Sequence, residues 1–324
     1  MYDEFQLIDF IKNRFSTDLI GDYAATIPLN SNDNLVISKD ISIENTHFML
    51  NGDLNFIGSK ALTSNLRDII SMGVEPKFFL LGLGLPENFT NENTEYLLNG
   101  IHSTAKQYNV ILAGGDISKS EKLFISITVF GFGEKEKIVY RNTAQLGDDI
   151  WIAGELGDSE IGLRIIKKEL KTTEKLSRYF IKKHFVKKLH PDFISFLSYK
   201  KIINSMIDVS DGFLQDLLHL LKQSDKCAIV DETLMPVSTE FLKLKNMLKE
   251  EFYIIPLISG EEYALIFTSN PCFRKDISDI ACNFSVKISK VGTITDNIPS
   301  SKHRIKLNNF KFENFAKLGY THFS

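Results

Sequence analysis

Five short segments set an aspartate where an apolar run meets a turn or a glycine: Gly21-Asp22, Ser38-Lys39-Asp40, Asn65-Leu66-Arg67-Asp68, Gly114-Gly115-Asp116 and Asp208-Val209-Ser210-Asp211-Gly212. Carboxylates gathered at one rim of a sheet repel one another unless cations sit between them. Hard oxygen donors of this kind suit Mg²⁺, which keeps some of its waters and bridges carboxylates to phosphate. Taken singly, each aspartate reads more readily as a helix cap or a turn-closing residue. As a set they point to magnesium-assisted phosphate chemistry. The last segment is the sharpest, because it joins a strand to a helix with Leu214, Leu217, Leu218 and Leu221 on one face. The first N–H groups and the dipole of such a helix favour a phosphate, and Gly212 lets a ligand approach the backbone. Capping by Ser210 or Asp211 is compatible with that role.

The familiar phosphate-binding signatures are missing. There is no G-x-x-x-x-G-K-[ST], no G-x-G-x-x-G opening a helix and no protein-kinase H-R-D or D-F-G set, and no G-x-S-x-G or H-E-x-x-H for the commonest hydrolases. With 38 Lys+Arg against 41 Asp+Glu, the formal charge of −3 gives no summed positive field for a grip on nucleic acid. Cys227, Cys272 and Cys282 form no C-x-x-C pair and are odd in number, which argues against a disulfide framework and a zinc knuckle and fits a reducing cytoplasm. The opening MYDEFQLIDFIKNRF does not read as a signal peptide. The longest apolar run, 78–85, is far short of the about 20 residues that cross a bilayer, so no membrane association is expected.

These candidates must be held by regular elements. Phe56, Ile57, Ala61, Leu62, Leu66, Ile69 and Ile70 fall on a helical stripe that Gly73 and Pro76 stop. Segment 77–85 reads as a strand, Thr90 as the cap of a helix over 91–108, 110–113 as a buried strand running into Gly114-Gly115-Asp116, and 123–132 as another strand. A polar stretch, 141–149, precedes a strand at 150–153 and a helix from Ser159. Helices are expected over 173–189 and 192–199, a strand at 205–209, and strand, helix and strand at 263–268, 277–282 and 286–291. The pattern predicts two α/β domains, 1–145 and 146–324, at a length that buries two cores more readily than one.

With these segments in order, the sequence resembles the thiamine-monophosphate kinase family, within the superfamily of aminoimidazole-ribonucleotide and selenophosphate synthetases. The resemblance rests on Gly21-Asp22-Tyr23-Ala24, Ser38-Lys39-Asp40, Asn45-Thr46-His47-Phe48, ALTSNLRDIISMGVEP (61–76), Gly114-Gly115-Asp116, Arg141 with Gly147-Asp148, Gly157-Asp158-Ser159, IDVSDGF (207–213), SGEEYALIF (259–267) and Gly319-Tyr320 with His322-Phe323. It implies an N-terminal α/β domain whose sheet or barrel forms a homodimer interface, and a C-terminal domain with a mixed sheet covered by helices. The implied reaction is transfer of the ATP γ-phosphoryl group to thiamine monophosphate, assisted by several Mg²⁺ ions. Asp22, Asp40, Asp68, Asp116, Asp208 and Asp211 are then expected as metal ligands, with Ser38 and the Lys39 backbone. Gly115, Arg141 and Ser210 are expected ATP contacts, and His47, Glu261 and Lys317 contacts to the thiamine phosphate. No side chain is expected as a general base, since the attacking phosphate oxygen is already anionic.

Several positions depart from the family pattern. Its Gly-Asp-Asp reads Gly21-Asp22-Tyr23, which removes one expected carboxylate, and Lys39 and Arg67 replace small polar residues beside ligands. Lys317 stands where a tryptophan is expected, with Phe315 the nearest ring, and His190-Pro191-Asp192 replaces an arginine-proline motif. Two other readings compete. One is a superfamily synthetase acting on another small acceptor, which the contexts of His47 and Glu261 disfavour. The other is a degraded nucleotide-binding homologue acting as a dimeric interaction module, supported by Tyr23 and Lys317 and opposed by the five retained aspartates.

Overall fold

The computed structural model describes residues 10, 12, 14, 22, 24–50, 52–298 and 303–310, and the chain divides into two compact units. The first comprises Tyr23–Ile138 and Phe185–Ser195. Its strands are β1 (Ala25–Pro28), β2 (Asp33–Ile43), β3 (Pro76–Leu85), β4 (Ile111–Lys119) and β5 (Phe124–Glu134), and its helices α1 (Leu54–Ser71) and α2 (Asn91–Gln107). The sheet runs β1-β2-β5-β3-β4. Its one parallel pair, β3 with β4, is spanned by the helical crossover that such a pair requires.

α1 forms where the apolar stripe predicts it. Asp53 caps it by accepting from Asn55 N, and Gly73, with φ of 74°, follows its end. It is buried almost all round, with Leu62, Leu66 and Ile69 at 0% exposure. Two glycines let α2 pack directly against it: a Cβ at Gly58 would lie 2.2 Å from Leu97 O, and one at Gly100 would lie 1.9 Å from Asn55 O. Thr90 caps α2 through Asn93 N. β4 differs from the buried strand expected at 110–113, being exposed along its whole length. It is an edge strand with one neighbour in this chain, and an apolar run looks the same whether its own chain or another surface covers it.

The second unit comprises Met1–Asp22, Val139–His184 and Phe196–Ser324. Its helices are α3 (Asp158–Ile166), α4 (Glu174–Phe185), α5 (Pro191–Tyr199), α6 (Phe213–Gln223), α7 (Glu251–Ile258) and α8 (Arg274–Asn283), with two helical turns, Thr239–Leu242 and Lys245–Leu248, ahead of α7. Its strands are β6 (Asp149–Ala153), β7 (Ser205–Asp208), β8 (Cys227–Val230), β9 (Leu265–Ser269), β10 (Ile288–Thr295) and β11 (Ile305–Leu307). They form one mixed sheet, β11-β8-β10-β6-β9-β7, parallel between β11 and β8. β6 is buried at every position, and Trp151 stacks on Phe267 of β9 at 6.3 Å. A second apolar cluster joins Ile161, Phe180, Phe241, Leu244, Phe252 and Ile255. No helix among the described residues is long and apolar enough to cross a membrane.

Candidate active site

The aspartates are not gathered at strand ends. Asp40 and Asp116 lie inside β2 and β4, and Asp68 lies inside α1; Asp208 is the last residue of β7. What positions the first group is a match of two periods. Asn65 and Asp68, three apart on α1, share a helix face, and Ser38 and Asp40, two apart on β2, share a strand face. Ser38 Oγ donates to Asp68 Oδ2 at 2.7 Å, and Asp40 N donates to Asn65 Oδ1 at 2.9 Å. Asn65 is itself held by its Nδ2, which donates to Ala61 O. Arg67 Nη2 lies 3.3 Å from Asp68 Oδ1, both residues being buried.

Strand alternation sends Lys39 to the other face, where its Nζ donates to Ser126 Oγ at 2.7 Å. Asp116 shares that face, because Gly82 is its register partner on β3 and Ser126 is the partner of Gly82 on β5. The sheet therefore separates Asp116 from Ser38, Asp40 and Asp68. Gly115 has a structural reason to be glycine, since a Cβ there would lie 1.9 Å from Leu81 O. His47 closes a turn after β2, its Nδ1 accepting from Ile43 N at 3.0 Å. That bond puts the proton of the neutral ring on Nε2, as a donor.

In the second unit β7 runs into the 208–212 turn and α6. Neither Ser210 nor Asp211 caps this helix; its cap position is Gly212, with φ of 134°. The N–H groups of Ser210, Asp211 and Gly212 instead donate to Asp216 Oδ2, at 3.0, 3.0 and 3.1 Å. Burial first, then the charges of Asp208 and Asp211, push the Asp216 pKa well above the ordinary carboxylate range. Glu261 sits beside the same turn with φ of 56°, held by its N–H donating to Ser210 O at 2.7 Å. Its Oε2 lies 3.8 Å from His184 Nε2, and His184 Nδ1 shares a 3.1 Å hydrogen bond with Ser159 Oγ. The adjacent Glu262 turns inward, accepting from Ser159 N and from Ser259 Oγ. Asp158 is likewise spent inside the unit, accepting from Ser238 Oγ at 2.7 Å and Tyr179 OH at 3.0 Å, and burial raises its pKa.

Asp22 and Arg141 hold each other, with Arg141 Nε 3.2 Å from Asp22 Oδ1. The structure thus brings together Ser38, Asp40 and Asp68; Asp208, Ser210, Asp211 and Glu261; and Asp22 with Arg141. Tyr23 and Lys317 lie outside the described residues. Asn65, Asp216 and His184 were missed by sequence reasoning. The signal for Asn65 is its spacing of three from Asp68, and for Asp216 an acid in the first turn of a helix that follows a glycine. The donors are carboxylate and hydroxyl oxygens, which fit Mg²⁺ in kind. Among the described residues no three His, Cys, Asp or Glu side chains converge to hold an ion by themselves, as suits an ion that phosphate and water help to hold.

The family model for the N-terminal domain of AIR synthase related proteins matches residues 21–133. The thiamine-monophosphate kinase of Aquifex aeolicus (strain VF5) is 34% identical over 266 residues, covering 82% of this chain and 85% of the relative. The thiamine-monophosphate kinase of Buchnera aphidicola subsp. Acyrthosiphon pisum is 31% identical over 329 residues, covering 99% of each. The solved structure of AaThiL complexed with AMPPCP and TMP matches with a TM-score of 0.87 and 28% identity, over 99% of this chain and 97% of that one.

Proposed function

The chain belongs to the thiamine-monophosphate kinase family, and on that premise we propose that it transfers the γ-phosphoryl group of ATP to the phosphate of thiamine monophosphate, giving thiamine diphosphate and ADP. What carries the reading is a match that runs the length of the chain, over the segments that hold Asp40 and Asp68 in one unit and Asp208 and Asp211 in the other. The attacking group is an anionic phosphate oxygen, so the reaction needs charge neutralisation and in-line placement rather than a base. Mg²⁺, when bound, supplies the neutralising charge. Asp40, Asp68, Asp116, Asp208 and Asp211 would hold it, with Ser38 and the Lys39 backbone, and Asp22 once a nucleotide phosphate takes Arg141 from it. Gly115, Arg141 and Ser210 serve ATP. His47, with its Nε2–H as donor, and Glu261 serve the acceptor, together with Lys317.

We assign the first unit to ATP and Mg²⁺ binding and to a homodimer interface. Ile111, Leu112 and Ile117 of the edge strand β4 are 58%, 53% and 68% exposed, which supports cover by a second copy. We take the place of work to be the cytoplasm, where ATP is supplied and three thiols stay reduced. Purified protein with ATP and thiamine monophosphate should form thiamine diphosphate with Mg²⁺ and none with a chelator in its place. Equal rates in both would remove the metal from the account.

A further inference from the structure

Consecutive N–H groups at a strand-to-helix turn are the arrangement that receives a phosphate. In the 210–212 turn all three point instead at one oxygen of Asp216, at 3.0, 3.0 and 3.1 Å. The cradle already holds an anion, and that anion belongs to the protein. Asp216 is 2% exposed, so a ligand phosphate cannot displace it without opening the helix start. The opposite side of the turn is fastened as well. Ser210 O accepts from Glu261 N at 2.7 Å, Val209 N donates to Ala264 O at 2.8 Å, and Tyr263 N donates to Val209 O at 3.0 Å. Gly260 passes so close that a Cβ would lie 2.6 Å from Ser210 O.

We propose that Asp216 is a positioning residue for the phosphoryl transfer: its carboxylate locks the backbone of the 210–212 turn so that Asp208 and Asp211 are presented to a divalent cation, and it closes the turn to phosphate. The inference rests on the assignment of Asp208 and Asp211 as magnesium ligands. A carboxylate suits the task for two reasons. Charge-assisted bonds from three N–H groups are roughly twice as strong as neutral ones, which keeps the turn shaped before nucleotide arrives. A third carboxylate beside Asp208 and Asp211 also deepens the local negative potential, which favours a cation and disfavours phosphate.

Asp216→Asn tests this, because it keeps the shape and one acceptor oxygen while removing the charge. A residue that serves the fold alone would tolerate this change or gain from it, since a buried charge is lost. The positioning role predicts a melting temperature without ligand equal to or above that of the wild type. Amide exchange at Ser210, Asp211 and Gly212 should be about tenfold faster, with the core elsewhere unchanged. The calorimetric dissociation constant of Mg²⁺ for the full chain saturated with AMPPCP should rise by about tenfold. Faster exchange in the turn with an unchanged Mg²⁺ constant would overturn the proposal, as would a lower melting temperature with that constant unchanged. Should the asparagine variant fail to fold, Asp216→Glu, which restores the charge at the wrong reach, is read by the same three measurements. Asp208→Asn is the control for the underlying assignment. If it leaves the Mg²⁺ constant unchanged, the ligand assignment fails, whereas a change there with none at Asp216 rejects the positioning role alone.

Discussion

Asp68 accepts a hydrogen bond from Ser38 and faces the Arg67 guanidinium, so its charge serves the fold as well as any cation. Asp68→Asn should therefore do two things. Turnover should fall by at least about a hundredfold through loss of a ligand. The melting curve should also move down, by about 1–3 kcal/mol, because a buried guanidinium loses its ionic partner. Steady-state kinetics and thermal melts on one preparation check both, and near wild-type turnover would remove Asp68 from the ligand set. Replacing Cys227, Cys272 and Cys282 together by serine should leave turnover within twofold of wild type. Cys272 and Cys282 are exposed, and no thiol enters the assigned chemistry; a larger loss would show otherwise. At this scale the sequence was readable where a residue type announces its chemistry, as with Asp40, Asp68 and Asp208. Asn65 and Asp216 stayed hidden because their partners are backbone groups, which an amino-acid sequence does not display.

Among the elements, β4 separates what periodicity can and cannot tell. Its existence followed from Val110, Ile111 and Leu112, but its exposure did not, since hydrophobicity reports that a surface is to be covered and not by what. β2 was missed as a strand because Ser38, Lys39 and Asp40 interrupt its apolar alternation, and those are the residues assigned to phosphate and metal. Gly115→Ala tests the local geometry of β4. A methyl 1.9 Å from Leu81 O forces the β3–β4 pair apart, and a loss of about 1–3 kcal/mol is expected in chemical denaturation. An unchanged midpoint would mean that the pair is looser than described. On α6, burial first, with Lys222 and Arg141 adding, pushes His219 down from the ordinary 6.5 to about 4. The unfolded chain then takes up the proton before the folded one does. The associated stability is whole above pH 6.5 and is lost as pH falls towards 4. His219→Asn should lose less melting temperature over that window than wild type, and parallel profiles would refute the assignment.

The molecule as a whole joins a unit of five described strands to one of six, and the argument for an edge-to-edge homodimer belongs at this scale. Ile117→Lys, placed on the most exposed of the β4 isoleucines, should convert a dimer into a monomer in light scattering, since a desolvated charge opposes association. A wild type that is itself monomeric would reject the interface. Two-domain order and α/β class were legible from motif order and strand–helix alternation. The return of Phe185–Ser195 to the first unit was not, because it depends on distant contacts such as Phe56 stacking on Phe185 at 5.9 Å and Ser195 Oγ donating to Glu75 at 3.2 Å. The central claim is direct transfer from ATP to the phosphate of thiamine monophosphate, and the measurement that tests it most directly follows the transferred group itself. With ATP radiolabelled in the γ-phosphoryl group, Mg²⁺ and thiamine monophosphate, the label should appear in the terminal phosphate of thiamine diphosphate, one for each ADP formed. Free thiamine in place of the monophosphate should take up none. Label that remains in ATP while folded protein binds nucleotide, or that appears only as inorganic phosphate, would contradict the account.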